Sequence, residues 1–312
     1  MSVMDLVSLG HILKETILFK DGTARLVLGS PAAYTTVCAA RLGARAGIVS
    51  RAGRDMPEEL LRAFDDAGVD QTGLDRNACC TTTNELGYDS EGRKRILRYL
   101  KKAPRITWDC VPRSYYDSRV FYCCGVCFEI DPDVVDRLFA LGGLMVSDIG
   151  GMGGTGRTED GPSPLDEDPE GFRGLVSHFG IMKASDDDVM ILTGCGPKEV
   201  PEFIRQILSW GPKVALLTKG ADGTDVYTVS GIHRVPAVPR NAVDTTGAGD
   251  CFMAGFLVHY GRSGDLLDSV EFGTAVASFV VERTGGVTAD RMPMLSEVEE
   301  RMQIHCSLGG SG

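Results

Sequence analysis

The chain has 312 residues, 43% apolar and 24% charged, which is enough apolar material to bury the core of a large α/β domain. Its net charge of -11 repels a phosphate backbone, so nucleic acid is excluded as a partner. No apolar run approaches the roughly 18 residues of a membrane span. The opening Met1-Ser2-Val3-Met4-Asp5 lacks the basic start of an export signal, so no membrane association and a cytoplasmic location are expected.

Residues 5–10 read as a buried strand ending in glycine. Residues 31–42 read as a helix with Pro31 in its first turn and Gly43 as its stop. A strand at 46–50 precedes a helix at 57–67, with Glu58 and Glu59 early and Gly68 behind it. Then come a strand (119–124), a helix (132–140), a strand (143–148), a strand (180–183), a helix (197–210) and a strand (214–218). Strands separated by amphipathic helices predict βαβ units, hence an α/β fold with a mostly parallel sheet flanked by helices.

Two segments break the rhythm. Residues 15–28 and 79–100 read as β-hairpins, with turns at 20–22 and 89–92. Both leave from C-terminal strand ends, the edge where open α/β sheets bind ligands, and they predict a small β-sheet lid there. Residues 150–169, rich in Gly, Pro and Asp, read as a long loop at the same edge. The whole is one domain over 1–306 with a frayed tail at 307–312. The cluster Arg93, Lys94, Arg95, Arg98, Lys101 and Lys102 reads as a solvated face of the second hairpin.

Ten cysteines are present, among them the adjacent pairs Cys79-Cys80 and Cys123-Cys124. No CxxC pair faces a second one and no His stands at ligand spacing from a pair, so reduced thiols are expected rather than disulfides or zinc. Residues 151–158 read GxxxxG-R-T, one residue short of a P-loop. Arg157 stands where the lysine belongs, and the following Glu159-Asp160-Gly161-Pro162 cannot open the helix that a P-loop needs.

The most informative stretch is Asp244-Thr245-Thr246-Gly247-Ala248-Gly249-Asp250, which runs directly into the apolar segment 251–257. Two glycines around one alanine at a helix start aim backbone N–H groups and a positive dipole end at one spot, a socket for an anion. Asp250 stands at its rim. A proton acceptor beside an anion trap is what phosphoryl transfer to an alcohol requires.

This stretch resembles the C-terminal signature of the ribokinase (PfkB) family of carbohydrate and nucleoside kinases. Further pieces follow in the family's order: Leu28-Gly29-Ser30-Pro31-Ala32-Ala33 with Ala39-Ala40-Arg41-Leu42-Gly43-Ala44, Arg51-Ala52-Gly53-Arg54-Asp55 with Gly68-Val69-Asp70, Lys183-Ala184-Ser185-Asp186-Asp187-Asp188 with Leu192-Thr193-Gly194, and Leu217-Thr218-Lys219-Gly220-Ala221-Asp222-Gly223. The resemblance spans about residues 5–290 and implies a ribokinase-like fold.

It also implies roles. Asp250 is the general base, and Gly247, Ala248 and Gly249 form the anion hole. Ser185, Thr218, Gly220, Asp222, Gly223, Thr245, Ala275 and Ser278 contact ATP. Glu15, Gly29, Ser30, Ala33, Asp55 and Asp250 contact the acceptor. Asp188 holds Mg2+ through water, and Asp244, with carbonyls around 281–286, holds a monovalent cation, K+. The chain departs from the family at Ser185 (usually Asn), Asp188 (usually Glu), Leu28 (usually Gly) and Ala33 (usually Asn), and Glu15 best matches the family's first-strand Asp. The expected activity moves the γ-phosphate of ATP to a hydroxyl of a small sugar or polyol. The alternatives are a nucleoside kinase and a catalytically weak small-molecule binder. A homodimer formed through the lid is also expected.

Overall fold

The computed structural model describes residues 3–18, 22–88, 94–152 and 164–309. The chain enters through β1 (Leu6–Leu9), all four residues of which are buried, then leaves the main sheet as β2 (Leu13–Leu18) and β3 (Ala24–Gly29). It returns with α1 (Pro31–Arg41), where Pro31 occupies a position whose N–H has no helical partner. β4 (Ala46–Gly53), α2 (Glu58–Ala67) and β5 (Asp70–Ala78) follow. The second excursion is β6 (Thr82–Tyr88) and β7 (Lys94–Lys101).

The alternation resumes with β8 (Val120–Cys123), α3 (Pro132–Leu141), β9 (Leu144–Asp148), α4 (Pro164–Glu167) and α5 (Pro169–Val176). β10 (Ile181–Ser185), α6 (Asp186–Thr193), α7 (Val200–Ser209) and β11 (Val214–Thr218) come next. The described chain closes with the hairpin β12 (Thr224–Thr228) and β13 (Gly231–Val235) and with α8 (Ala248–Ser263), α9 (Leu266–Val280) and α10 (Leu295–Gly309).

The large sheet has the order β13-β12-β11-β10-β9-β8-β1-β4-β5. It is parallel from β5 to β11 and antiparallel over β12 and β13. Successive residues of β1 enter opposite cores, as period-two side chains must: Leu6 packs with α1, α8 and α9, while Val7 packs with α3, α5 and α7. The strand order reverses between β1 and β8, and such a switch opens a crevice at the C-terminal strand ends. Gly10, just past β1, passes so close to the next loop that a Cβ there would lie 2.5 Å from the Cys124 carbonyl oxygen.

The second sheet, β3-β2-β6-β7, is the expected lid. Its two hairpins join through a parallel seam, β2 against β6, with Leu13 opposite Thr82. Several details depart from the reading of the sequence. β5 was not foreseen, because Asp70–Ala78 is polar and does not alternate; it forms as an edge strand on β4. β12 and β13 were not foreseen either. α10 continues to Gly309, so residues 307–309 are helical rather than frayed. Residues 150–152 form a 3-10 turn and α4 begins at Pro164, which shortens the expected loop at both ends. The expected turns at 20–22 and 89–92, Gly22 apart, and the segment 153–163 lie outside the described residues. Among the described residues no helix is long and apolar enough to cross a membrane.

Candidate active site

Gly247 adopts φ +76° and N-caps α8 with no side-chain cap. A Cβ there would lie 2.4 Å from the Tyr34 ring, so the left-handed backbone and the adjacent ring both require glycine. The first-turn amides of α8 therefore face out of the helix end together with its positive dipole. Residues 247–250 are half-buried, placing the turn at the surface rather than in the core. Thr35 of α1 fixes it, its Oγ1 donating to the Asp250 carbonyl at 3.1 Å.

A buried ionic cluster lies beside this turn. Lys183 of β10 is 6% exposed. Its Nζ stands 2.8 Å from Asp148 Oδ2 and 3.6 Å from Asp188 Oδ2, and a Cβ on Gly249 would lie 3.5 Å from it. Asp148, at the end of β9, also accepts the Gly150 N–H at 2.8 Å and the Tyr122 hydroxyl at 3.4 Å. Burial works against the charge on Lys183, but Asp148, Asp188 and Asp250 outweigh it and hold the ammonium above the usual lysine range. Ser185 and Asp188 form a capping box on α6: Ser185 Oγ accepts the Asp188 N–H at 3.1 Å, and Asp188 Oδ2 accepts the Ser185 N–H at 3.2 Å.

The loop before Gly247 is tied down by Asp244 and Arg291. Asp244 Oδ1 accepts the Thr246 N–H at 2.9 Å and its hydroxyl at 2.6 Å, and Oδ2 accepts the Gly285 N–H at 3.1 Å. The side chain of Arg291 is 2% exposed, and its Nη2 is 3.7 Å from Asp244 Oδ2. Nε donates to Arg283 O at 3.1 Å, Nη1 to Gly285 O at 2.5 Å and Tyr34 Oη at 3.1 Å, and Nη2 to Thr246 O at 3.0 Å and Val280 O at 3.2 Å.

On the lid side, Glu15 of β2 is buried, and its Oε2 accepts from Asn84 Nδ2 of β6 at 2.8 Å. Gly29 lies against it, since a Cβ there would meet Glu15 Oε1 at 2.8 Å. Asn84 Oδ1 is buried with no hydrogen-bond partner among the described residues. Ser30 adopts φ +110°, a conformation that costs a non-glycine residue about 1–3 kcal/mol, while its Oγ caps α1 through the Ala33 N–H at 3.1 Å. Ala33 itself is fully buried. Asp55 accepts the Thr81 N–H at 2.8 Å and pairs with Lys14 of β2 at 3.2 Å. Burial pushes its carboxyl up, but the bonds from Thr81 and Lys14 prevail and hold it below the usual range.

On the opposite side, Thr218 donates to Ala184 O at 3.2 Å, and residues 220–222 make a 3-10 turn closed by Gly223. Thr245 is exposed, and its carbonyl accepts the Ala248 N–H at 3.1 Å. Ala275 and Ser278 sit in helix packing: Ser278 donates to Ala275 O at 2.6 Å and accepts from Arg301 of α10 at 2.8 Å. The structure thus gathers Gly249, Asp250 and Asp188 around Lys183, and Glu15 with Gly29 at the lid root, while Ala275 and Ser278 face protein. His11, Cys127 and Glu129 also bring ligand-type atoms within 4.8 Å of one another. The protein engages them, however: His11 meets Thr82 Oγ1 and Pro104 O, and Glu129 accepts the N–H groups of His11, Val126 and Cys127.

A family model described as pfkB family carbohydrate kinase matches residues 3–292. The chain belongs to the pfkB family. As such it is an ATP-dependent phosphotransferase acting on an alcohol group. It is 27% identical over 288 residues to the cytidine kinase of Thermococcus kodakarensis, covering 91% of this chain and 98% of that one. It is also 27% identical over 283 residues to the aminoimidazole riboside kinase of Salmonella typhimurium, covering 85% of each. Arabidopsis thaliana ribokinase complexed with ribose and ATP shares the fold, with a TM-score of 0.76 at 20% identity over 96% of this chain and 98% of that one.

The pfkB motifs gave no role to Asp148, Lys183, Asn84 or Arg291. Lys183 did carry a signal, being an ionisable residue inside the apolar strand Ile181–Ser185. Asp148 closes a buried strand at the ligand edge. Asn84 carries no local mark, because Glu15 comes from a distant segment; Arg291 carries none because its partners are backbone carbonyls a few residues back together with the distant Tyr34 and Thr246.

Proposed function

We propose that this pfkB kinase transfers the γ-phosphate of ATP to a hydroxyl of a riboside, a nucleoside-type acceptor, within the broader class of sugars, polyols and nucleosides. The observation that carries the transfer chemistry is the half-buried first turn of α8, which no side chain caps, with Asp250 in it and Lys183 beside it. Asp250 takes the proton of the attacking hydroxyl. The amides of Gly247 and Gly249 hold peripheral oxygens of the moving phosphoryl group, where fixed donors matter more than covalent chemistry, while the Ala248 N–H, expected to join them, is taken by the Thr245 carbonyl at 3.1 Å. Asp188 suits a magnesium ion held through water, since a hard cation that keeps its hydration shell needs one or two carboxylates. When bound, that ion supplies positive charge to the phosphates.

The riboside assignment rests on the cytidine and aminoimidazole riboside kinases, each 27% identical and matched over 85% or more of its own length, above an Arabidopsis thaliana inositol 3-kinase at 23% over 78% of its length, and on the chemistry of the lid root. Ionised, the Glu15 carboxylate is acceptor-only and suits neighbouring hydroxyls, while Asn84 Oδ1 offers an acceptor left unmatched among the described residues. ADP release measured with cytidine, other nucleosides, ribose, fructose and myo-inositol tests this. A riboside is expected to exceed every free sugar in kcat/KM by about tenfold or more, the equivalent of one good contact. A free sugar or inositol as the best acceptor refutes the riboside assignment. In the same assay Glu15→Gln is expected to raise the acceptor KM about tenfold with the KM for ATP unchanged.

The lid also presents Leu26 of β3 and Leu100 of β7, 46% and 51% exposed, on its two outer strands. We take this face to pair with a second copy. Sedimentation at micromolar concentration is expected to give twice the chain mass, and a single-chain mass refutes the pairing.

A further inference from the structure

We propose that Arg291 is a built-in monovalent cation: its guanidinium fills the carbonyl cage around Asp244, so the enzyme works without potassium. The cage is the one where the family resemblance puts a free ion. Its oxygens are the carbonyls of Thr246, Val280, Arg283 and Gly285 together with the Asp244 carboxylate, and Arg291 reaches each of them. All five guanidinium N–H groups are accounted for, the fifth meeting the Tyr34 hydroxyl at 3.1 Å. A planar fork with five donors and no acceptor matches a ring of carbonyl oxygens. The side chains of Arg291 and Asp244 are 2% and 7% exposed, so the pair is shielded from solvent, and a second cation at van der Waals distance would be repelled by the first.

The position of Arg291 links this charge to the catalytic turn. Thr246, whose carbonyl Arg291 holds at 3.0 Å, immediately precedes Gly247. Tyr34, which donates to Gly285 O at 3.2 Å and accepts from Arg291, has its ring against Gly247. Arg291 is therefore a positioning residue. It fixes the loop that sets the direction of the α8 amides and touches no reacting atom.

The test uses the full chain in tetramethylammonium chloride at constant ionic strength, with potassium titrated to ~100 mM. Wild type is expected to change its phosphorylation rate by less than about twofold, and its melting temperature no more with potassium than with sodium. Arg291→Ala is expected to lose about tenfold or more in rate without potassium, and to recover part of it, with a potassium-specific rise in melting temperature, when potassium or a few millimolar guanidinium is added, as a ligand filling an emptied site would produce. Strong potassium activation of wild type, or a potassium-specific rise in its melting temperature, overturns the proposal. So does a folded Arg291→Ala protein that neither potassium nor guanidinium affects. The wild-type arm decides alone should the variant not fold. The melting arm needs no turnover, so a failure of the kinase reading is distinguishable from a failure of this one.

Discussion

Asp250→Asn is expected to lower turnover by about 10²–10⁴-fold, the usual contribution of a positioned proton acceptor, while affinity for ATP stays near wild type. The substitution keeps the shape of the side chain and removes the charge. It leaves the helix start intact, because Gly247 caps α8 through its backbone and Asp250 meets Thr35 through its carbonyl. It also removes one of the three carboxylates that hold the Lys183 ammonium above its usual range, but Asp148 at 2.8 Å remains. Steady-state kcat with a saturating acceptor and a nucleotide titration without acceptor separate the two effects. A variant that keeps wild-type kcat refutes the assignment of the base.

Lys183→Met is expected to be the most destabilising single change in the site, by about 3–5 kcal/mol, since removing one partner of a buried pair leaves an uncompensated charge. The charge left behind is Asp148, which is 4% exposed and, among the described residues, keeps the Gly150 N–H at 2.8 Å and the Tyr122 hydroxyl at 3.4 Å. Burial already pushes the Asp148 carboxyl up, with Lys183 opposing that push. Without the ammonium the folded-state value rises further above the unfolded one. A raised acid contributes stability that is full below its unfolded value and lost as pH rises through its folded value. The defect should therefore be largest at neutral pH and shrink on acidification. Urea midpoints for wild type and variant across acid to neutral pH check this, and a pH-independent difference refutes it. Adding Asp148→Asn to Lys183→Met should recover stability without recovering turnover.

Much of this was legible in the chain itself. The α1 and α8 starts are written in Ser30-Pro31 and in the glycines around Ala248, because caps and close approaches are local demands. The lid strands were legible because both hairpins interrupt an otherwise regular alternation. β5 was not, since an edge strand on β4 draws its stability from pairing rather than from its polar sequence. Lys183 stood in a recognised motif, yet its partnership with Asp148 depends on β9 and β10 lying side by side. Arg291 was invisible for a stronger reason: the atoms it touches belong to residues 34, 244, 246, 280, 283, 285 and 286, and no pattern near position 291 announces them.

The parallel seam between β2 and β6 has a consequence for how the molecule is made. Leu13 cannot find Thr82 until β4, α2 and β5 have emerged between them, and an isolated two-stranded hairpin is only marginally stable in water. The first hairpin must therefore wait, as the chain is synthesised, for a partner that appears much later. Distant pairing of this kind is slow to form, yet the contacts that tie α1 to the start of α8 and to Arg291 span far more of the chain and must come later still. A young chain therefore carries every strand of its ceiling before the glycine turn of residues 247–250 has been made.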